Sequence, residues 1–303
     1  MIMKKPLCCA LCLLLVLSLS LGALCDSTPL IYKVTDENGN YIFLLGTMHV
    51  INEDTLPIAR FDELMDQVDT VVLELGEEFF TELTDEETPP LSERLGQLRV
   101  EADNGLSETL IKSLLAFFVD LGCRDLDAEL LRHIPTYQLY LNLMIAIFDD
   151  AGLDVSGAAV DKYVYREAKA RGLTVLGVET MEEQTGALSD YLSLLDADGD
   201  QYIDEDAFYL LIDGAAAIQY TLNMLCLGYN TGNRELLMIT VINTYQRAGI
   251  DEVRNKRFFD AATEQLENGS HALIAVGAYH VLCEEDGLVT ALTNAGYTVE
   301  RWQ

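Results

Sequence analysis

A chain of 303 residues, half of them apolar, can bury a full core as one large domain or two smaller ones, and is too apolar to remain disordered. Its 19 basic residues face 50 acidic ones, a formal charge of −31. Such a surface excludes nucleic acid and anionic lipid as natural partners and favours cationic or neutral partners and metal ions.

The N-terminus opens with MIMKK, continues almost wholly apolar through Pro6–Leu24, and passes Ala23-Leu24-Cys25 into Asp26. A short positive segment, an apolar stretch and small residues at a cleavage point describe a signal peptide over residues 1–25. The expected product is exported, extracellular or in the cell envelope, with its domain over residues 26–303. Membrane association is then expected only through an uncleaved leader or through lipid on Cys25. No other apolar run reads as long enough to span a bilayer. Of the seven cysteines, Cys8, Cys9 and Cys12 lie in the leader and Cys25 at its end. Cys123, Cys226 and Cys283 are widely spaced and form no C-x-x-C, which predicts buried small apolar residues rather than a disulfide framework.

Leu30–Thr35 and Tyr41–Leu45 flank Asn38-Gly39, a hairpin signal. Phe61, Leu64, Met65 and Val68 share one helical face, and Thr70–Leu75 reads as a buried strand with Glu74 near its end. The crossover should make this β-α-β unit parallel. The acidic stretch Glu77–Pro90 reads as a solvated loop. Leu106–Leu121 and Leu126–Phe148 have helical spacing, with Pro135 starting a new helix. Val160, Tyr163, Val164 and Ala168 mark the next helix, stopped by Gly172. Leu173–Glu179 reads as a buried strand ending in a carboxylate. Residues 180–268 look mostly helical. Leu288, Ala291, Leu292 and Ala295 form a last helix face before a strand over Tyr297–Trp302. The sum is an α/β fold with a mixed, mostly parallel central sheet and a helical insertion between about residues 90 and 270.

Two stretches share one pattern. Tyr41–Val50 (YIFLLGTMHV) and His271–His280 (HALIAVGAYH) each read as a buried strand running into G-x-x-H, and they hold two of the four histidines of the chain, His49 and His280. A glycine at a strand end permits a sharp turn or a close approach. The carboxyl edge of an open α/β sheet is where ligands bind. His49, Glu74, Glu179 and His280 therefore gather ionisable groups at strand ends in an apolar setting. Two imidazoles with one or two carboxylates form a common ligand set for a first-row metal, with His49, Glu74 and His280 as the candidate ligands. Such an ion would polarise a carbonyl and acidify bound water, and the second carboxylate would serve as general base. The same residues could also pair as histidines hydrogen-bonded to carboxylates with no metal.

Gly46-Thr-Met-His49, Glu74 in VVLELG, Glu179 in VLGVETMEEQ and Gly277-Ala-Tyr-His280 together resemble the TraB/GumN family, which includes the Tiki metalloproteases and the PrgY pheromone-shutdown proteins. Asp161, Val253-Arg-Asn-Lys256 and the closing GAYHVLCEEDGLVTALTNAGYTVERW extend the resemblance over roughly residues 30–303. It implies an α/β fold related to the erythromycin-esterase and ChaN groups. It also implies a metal-dependent peptidase using manganese or cobalt, with zinc the further divalent candidate, and a peptide or protein substrate. Carried across, Glu74, Glu179 and Arg254 are the catalytic candidates, with Arg254 holding an oxyanion or a substrate carboxylate, or forming a structural ion pair. The departure is Cys283, where the family often has glycine; it is expected to crowd the turn.

Asp196-Ala-Asp-Gly-Asp-Gln-Tyr-Ile-Asp204 has the spacing that begins an EF-hand loop, with Asp196, Asp198, Asp200 and Asp204 as candidate ligands of a weak calcium site. Gln201 stands where the loop needs glycine and Ala207 where it needs a bidentate glutamate, so a plain acidic turn is the competing reading. The function expected from the whole is an exported metal-dependent hydrolase acting on peptides. The alternatives are a protein that sequesters a peptide or other ligand without cleaving it, and a metal-free hydrolase of the esterase type.

Overall fold

A computed structural model describes residues 30–49, 51, 55–82, 89–153, 159–184, 203–237 and 251–302. Six strands form its sheet: β1 (Ile31–Thr35), β2 (Tyr41–Thr47), β3 (Thr70–Leu75), β4 (Thr174–Glu179), β5 (Ala272–Gly277) and β6 (Thr298–Arg301), in the order β4-β3-β5-β2-β1-β6. β1 and β2 form the hairpin marked by Asn38-Gly39. Asp36 accepts the N–H groups of Asn38 at 2.9 Å and Asn40 at 2.8 Å, and Gly39 takes φ +88°. That conformation suits glycine, and the aspartate side chain replaces backbone bonds lost in the turn. β2 pairs parallel with β5, β5 with β3, and β3 with β4, while β1 and β6 add an antiparallel edge. The sheet is thus mixed and mostly parallel. β3 and β5 are near-continuous apolar runs because helices cover them, so their side chains are buried on both faces.

The helices described are α1 (Ile58–Met65), α2 (Glu77–Glu82), α3 (Leu91–Gln97), α4 (Glu108–Asp120), α5 (Ala128–Arg132), α6 (Thr136–Asp150), α7 (Ala159–Arg171), α8 (Glu205–Thr231), α9 (Asp251–Glu267), α10 (Ala278–Leu282) and α11 (Leu288–Asn294). Pro135 caps α6, and Gly172 follows α7 at φ +70°. Two hydrophobic cores result. One surrounds the sheet and includes Phe43, Phe61, Val72, Val164, Phe258 and Ile274. The other is helical and joins α3–α6 to the start of α8 through Leu95, Leu110, Phe118, Leu143 and Phe208. Between these stretches α7 and β4 return to the sheet, so the insertion over 90–270 is interrupted by sheet elements.

Several sequence expectations change. Glu77–Glu82 is a helix, not a solvated loop. Its two leading glutamates lie where a helix dipole favours negative charge, Glu77 meets Lys169 at 2.8 Å, and Phe80 stacks on Tyr165 with ring centroids 4.7 Å apart. β4 is not a buried strand: it ends the sheet, and Leu176 is 41% exposed. Among the described residues one helix, α8, is long and apolar enough to cross a bilayer, which the sequence did not lead us to expect. Its start packs in the helical core through Phe208 and Leu211 and its end in the sheet core through Tyr229. Cys283 closes α10 rather than crowding the turn. Its backbone lies so near Gly287 that a Cβ there would be 2.6 Å from its nitrogen and its carbonyl oxygen, so the glycine at 287 admits the close approach. Cys123, Cys226 and Cys283 form no disulfide among the described residues, and of the three only Cys283 is buried.

Candidate functional site

β2 and β5 lie side by side and parallel, with Thr47 opposite Gly277, so both G-x-x-H turns leave the same edge of the sheet. Each glycine has a steric reason. A Cβ on Gly46 would stand 2.8 Å from Ala278 Cα, so this glycine lets β2 run against the start of α10. A Cβ on Gly277 would stand 3.0 Å from Glu74 Oε1 and 3.4 Å from His280 Cδ2. Its absence lets Gly277 N–H donate to that same oxygen at 2.6 Å.

Glu74, buried at the end of β3, has both oxygens engaged. Oε1 takes the Gly277 N–H, and Oε2 accepts from Arg254 Nη2 and Gln184 Nε2, each at 3.1 Å. Arg254, from α9, is bidentate on Glu179: Nε lies 2.9 and 3.1 Å from the two carboxylate oxygens and Nη2 2.7 Å from Oε2. Planar fork-to-carboxylate pairing of this kind is strong and geometrically specific. One guanidinium therefore bridges the two strand-end glutamates, which are almost fully buried. Burying either carboxylate without a partner would cost several kcal/mol.

The two histidines differ around this bridge, His280 hydrogen-bonded through Nδ1 to a helix residue and His49 facing one as an ion pair. His49 Nδ1 is 3.0 Å from Asp161 Oδ2 at the start of α7, and the His49 side chain is 40% exposed. Burial alone would lower this imidazole, but the Asp161 carboxylate, helped by Glu74, outweighs that and raises its pKa to about 9. His280 is buried, and its Nδ1 is 2.6 Å from Asn255 Oδ1 on α9. Burial pushes its pKa down to about 4, and Arg254 and His49 add to that effect against Glu74. At neutral pH the site thus holds an imidazolium at His49 and a neutral imidazole at His280. Tyr229 Oη completes the edge by donating to the Gly46 carbonyl at 2.8 Å.

The residues read from the sequence as one site, His49, Glu74, Glu179, Arg254 and His280, do come together. Arg254 takes the ion-pair role the sequence analysis allowed it, its guanidinium pairing with both glutamates. Among the described residues, no three His, Cys, Asp or Glu side chains are grouped closely enough to hold a metal ion. Thr47 Oγ1, His49 Nδ1, Asp161 Oδ2 and Asn255 Nδ2 are buried with no hydrogen bond among the described residues; His49 Nδ1 and Asp161 Oδ2 face each other as an ion pair, and Asn255 Nδ2 is a donor, which a cation would not satisfy. As these side chains stand, they do not form a closed ligand set. Asp161, Asn255 and Gln184 are the partners sequence reasoning did not assign. Asp161 and Asn255 lay in segments that matched the family, but nothing local links a helix carboxylate or amide to a particular histidine. Asp196, Asp198 and Asp200 lie outside the described residues. Asp204 is the N-cap of α8, its Oδ1 accepting from Ala207 N–H at 3.0 Å.

A mostly parallel α/β sheet with two histidines at its carboxyl edge and an arginine-bridged glutamate pair beneath them defines an α/β protein with a polar edge site. The chain belongs to the TraB/PrgY/gumN family, whose model matches residues 30–301. No curated protein matches the chain.

Proposed function

We propose that the protein is an exported hydrolase that cleaves peptides at the sheet edge holding His49 and His280. The observation that carries this reading is the placement of two histidines beyond adjacent parallel strands, one facing the Asp161 carboxylate and the other buried against the Asn255 carboxamide, surroundings that push the two imidazoles in opposite directions. Environments that drive two titratable groups apart assign one as acid and the other as base. His280 Nε2 has no hydrogen bond to a described residue, so its lone pair is open to take a proton from water as that water attacks the acyl carbon. His49, cationic and partly open, gives its Nε2 proton to the leaving amine as the C–N bond breaks. Glu74, Glu179 and Arg254 hold the frame rather than touch the substrate.

A second reading keeps the divalent ion, manganese, cobalt or zinc. It is favoured by one feature: both imidazoles have Nδ1 held by an outer partner, as metal-ligating histidines do. When bound, the ion would polarise a carbonyl and acidify water. The experiment for both is turnover of peptide and ester libraries by the mature protein, with and without chelator. His49→Ala and His280→Ala should each lower kcat by about 10²–10⁴-fold. Loss of activity on chelation, with metal in the purified protein, would favour the ion. Tight binding without turnover would leave only a sequestering role. Export is checked separately: the mature chain should begin at Asp26 or carry lipid on Cys25, and intact Met1 on cytoplasmic protein would remove it.

A further inference from the structure

Asn255 follows Arg254 on α9, so the helix that clamps the glutamates also reaches the second histidine. Asn255 is 4% exposed, and its Oδ1 lies 2.6 Å from His280 Nδ1. A carboxamide oxygen only accepts, so the ring nitrogen facing it must carry the hydrogen. Phe258, three residues further along α9, packs against the same ring with centroids 5.0 Å apart and planes at 63°. One helix therefore fixes both the ring orientation and the nitrogen that is protonated. The arrangement is costly, because Asn255 Nδ2 is buried with no partner among the described residues. A buried donor without a partner costs free energy that an apolar residue of similar shape would not. An amide retained at such a cost is better explained by what it does to the imidazole than by stability.

We propose that Asn255 is a positioning residue that holds His280 as its Nδ1–H tautomer and so keeps the Nε2 lone pair available at the sheet edge. This rests on the hydrolase reading, in which Nε2 receives the proton from water; the tautomer itself can be observed without any substrate. Asn255→Asp keeps an acceptor in place, whereas Asn255→Leu removes it at similar volume.

The test is nitrogen NMR of histidine-labelled protein at neutral pH, with the His280 signals assigned by their loss in His280→Gln. The expected result is a protonated Nδ1 and an unprotonated Nε2 in the wild type. Asn255→Asp should keep Nδ1 protonated, and Asn255→Leu should give a mixture of tautomers or the opposite one. Thermal melts of both variants establish that the chain is folded when the spectra are read. On a cleaved substrate, Asn255→Leu should lower kcat about 10–100-fold with little change in KM, and Asn255→Asp should not restore it at neutral pH, because a carboxylate facing Nδ1 favours the imidazolium and occupies Nε2 with a proton. An Nε2–H tautomer in the wild type would overturn the proposal, since it would mean the amide offers Nδ2 to Nδ1 instead. So would an unchanged tautomer in folded Asn255→Leu, or an altered tautomer with unchanged kcat. A wild type that cleaves nothing but shows the expected tautomers would sink the hydrolase reading and leave the assignment of Asn255 to the ring intact.

Discussion

His49 and His280 follow the same strand–Gly–x–x–His pattern on neighbouring parallel strands, yet the structure puts them in opposite states. The difference lies in what the flanking helix offers to Nδ1. Asp161 offers a carboxylate to a ring that stays partly open, and the result is a cation with a pKa near 9. Asn255 offers a neutral carboxamide to a ring that is buried, and the result is a neutral imidazole with a pKa near 4. The motif delivers each histidine to the sheet edge; the outer partner decides what it does there. A repeated motif is therefore no evidence for a repeated role.

What the two halves share is the Arg254 bridge, and removing it should have the largest effect. Arg254→Ala leaves Glu74 and Glu179 buried without their cation, so a loss of about 3–5 kcal/mol is expected, measured by denaturant unfolding. Glu179→Gln should cost less, because Arg254 keeps Glu74. A loss below about 1 kcal/mol for Arg254→Ala would show that another cation already serves these carboxylates, and would return weight to a bound divalent ion.

The contrast between the histidines has its own signature in stability against pH. His49 has a raised folded pKa, so its contribution is complete below the unfolded value of about 6.5 and is lost as pH rises through about 9. His280 has a depressed folded pKa, so its contribution is present above about 6.5 and is lost as pH falls through about 4. Asp161→Asn removes the charge that holds His49 cationic. It should flatten the decline between about pH 6.5 and 9 and touch the His280 limb only through the small contribution of His49 to that ring. Melting curves across that range check it. An alkaline limb that survives the substitution would assign it to some other group and dissolve the contrast.

Gly46 and Gly277 look equivalent in sequence but guard different approaches, so substituting them should separate the halves again. Gly46→Ala drives a Cβ into the backbone of α10, with Ala278 Cα only 2.8 Å away. A loss of about 1–3 kcal/mol is expected from such overpacking. Gly277→Ala meets a carboxylate oxygen at 3.0 Å instead, and should act through the Glu74 bond to the Gly277 N–H. Equal effects of the two on stability, with neither changing activity, would make both glycines plain packing residues.

Much of this site was legible in the sequence, and the reasons can be given residue by residue. Strand runs ending in Gly46 and Gly277 are local patterns, so His49 and His280 could be placed at strand ends without a structure. Their adjacency could not: β2 and β5 pair in parallel across more than two hundred residues, and such pairing leaves no local trace. Glu74 and Glu179 were visible as lone carboxylates closing apolar runs. Their need for a cation follows from burial, and Arg254, separated from them by long stretches of chain, is a cation the fold brings to both. Asp161 and Asn255 sit on helices whose polar residues mostly face water, and nothing in spacing separates them from those. β4 reads as buried because its residues are apolar, whereas its exposure is decided by its place at the end of the sheet, a tertiary fact. Glu77–Glu82 reads as loop because it is acidic, although Phe79 and Phe80 carry the signal that one face is anchored.

The smallest expected effect belongs to Tyr229, and it reads on the His49 half alone. Tyr229 lies near the end of α8, a helix whose first turns sit in the helical core. Its hydroxyl donates to the Gly46 carbonyl at 2.8 Å, and the phenol pKa is pushed well above its usual value, first by burial and then by Asp161. The residue thus touches the turn that launches His49 and feels the carboxylate that charges it, and it ties both to the helical insertion. Tyr229→Phe keeps the packed ring and removes one hydrogen bond, so a loss of about 0.5–1.5 kcal/mol is expected from denaturant unfolding. The His280 tautomer should be unaffected, because Asn255 and Phe258 approach that ring from α9. If Tyr229→Phe instead disturbs the His280 nitrogen signals as much as those of His49, the two halves are mechanically coupled through the Gly46–Ala278 contact. Their opposite protonation would then be a property of one shared edge and not of two separate outer partners.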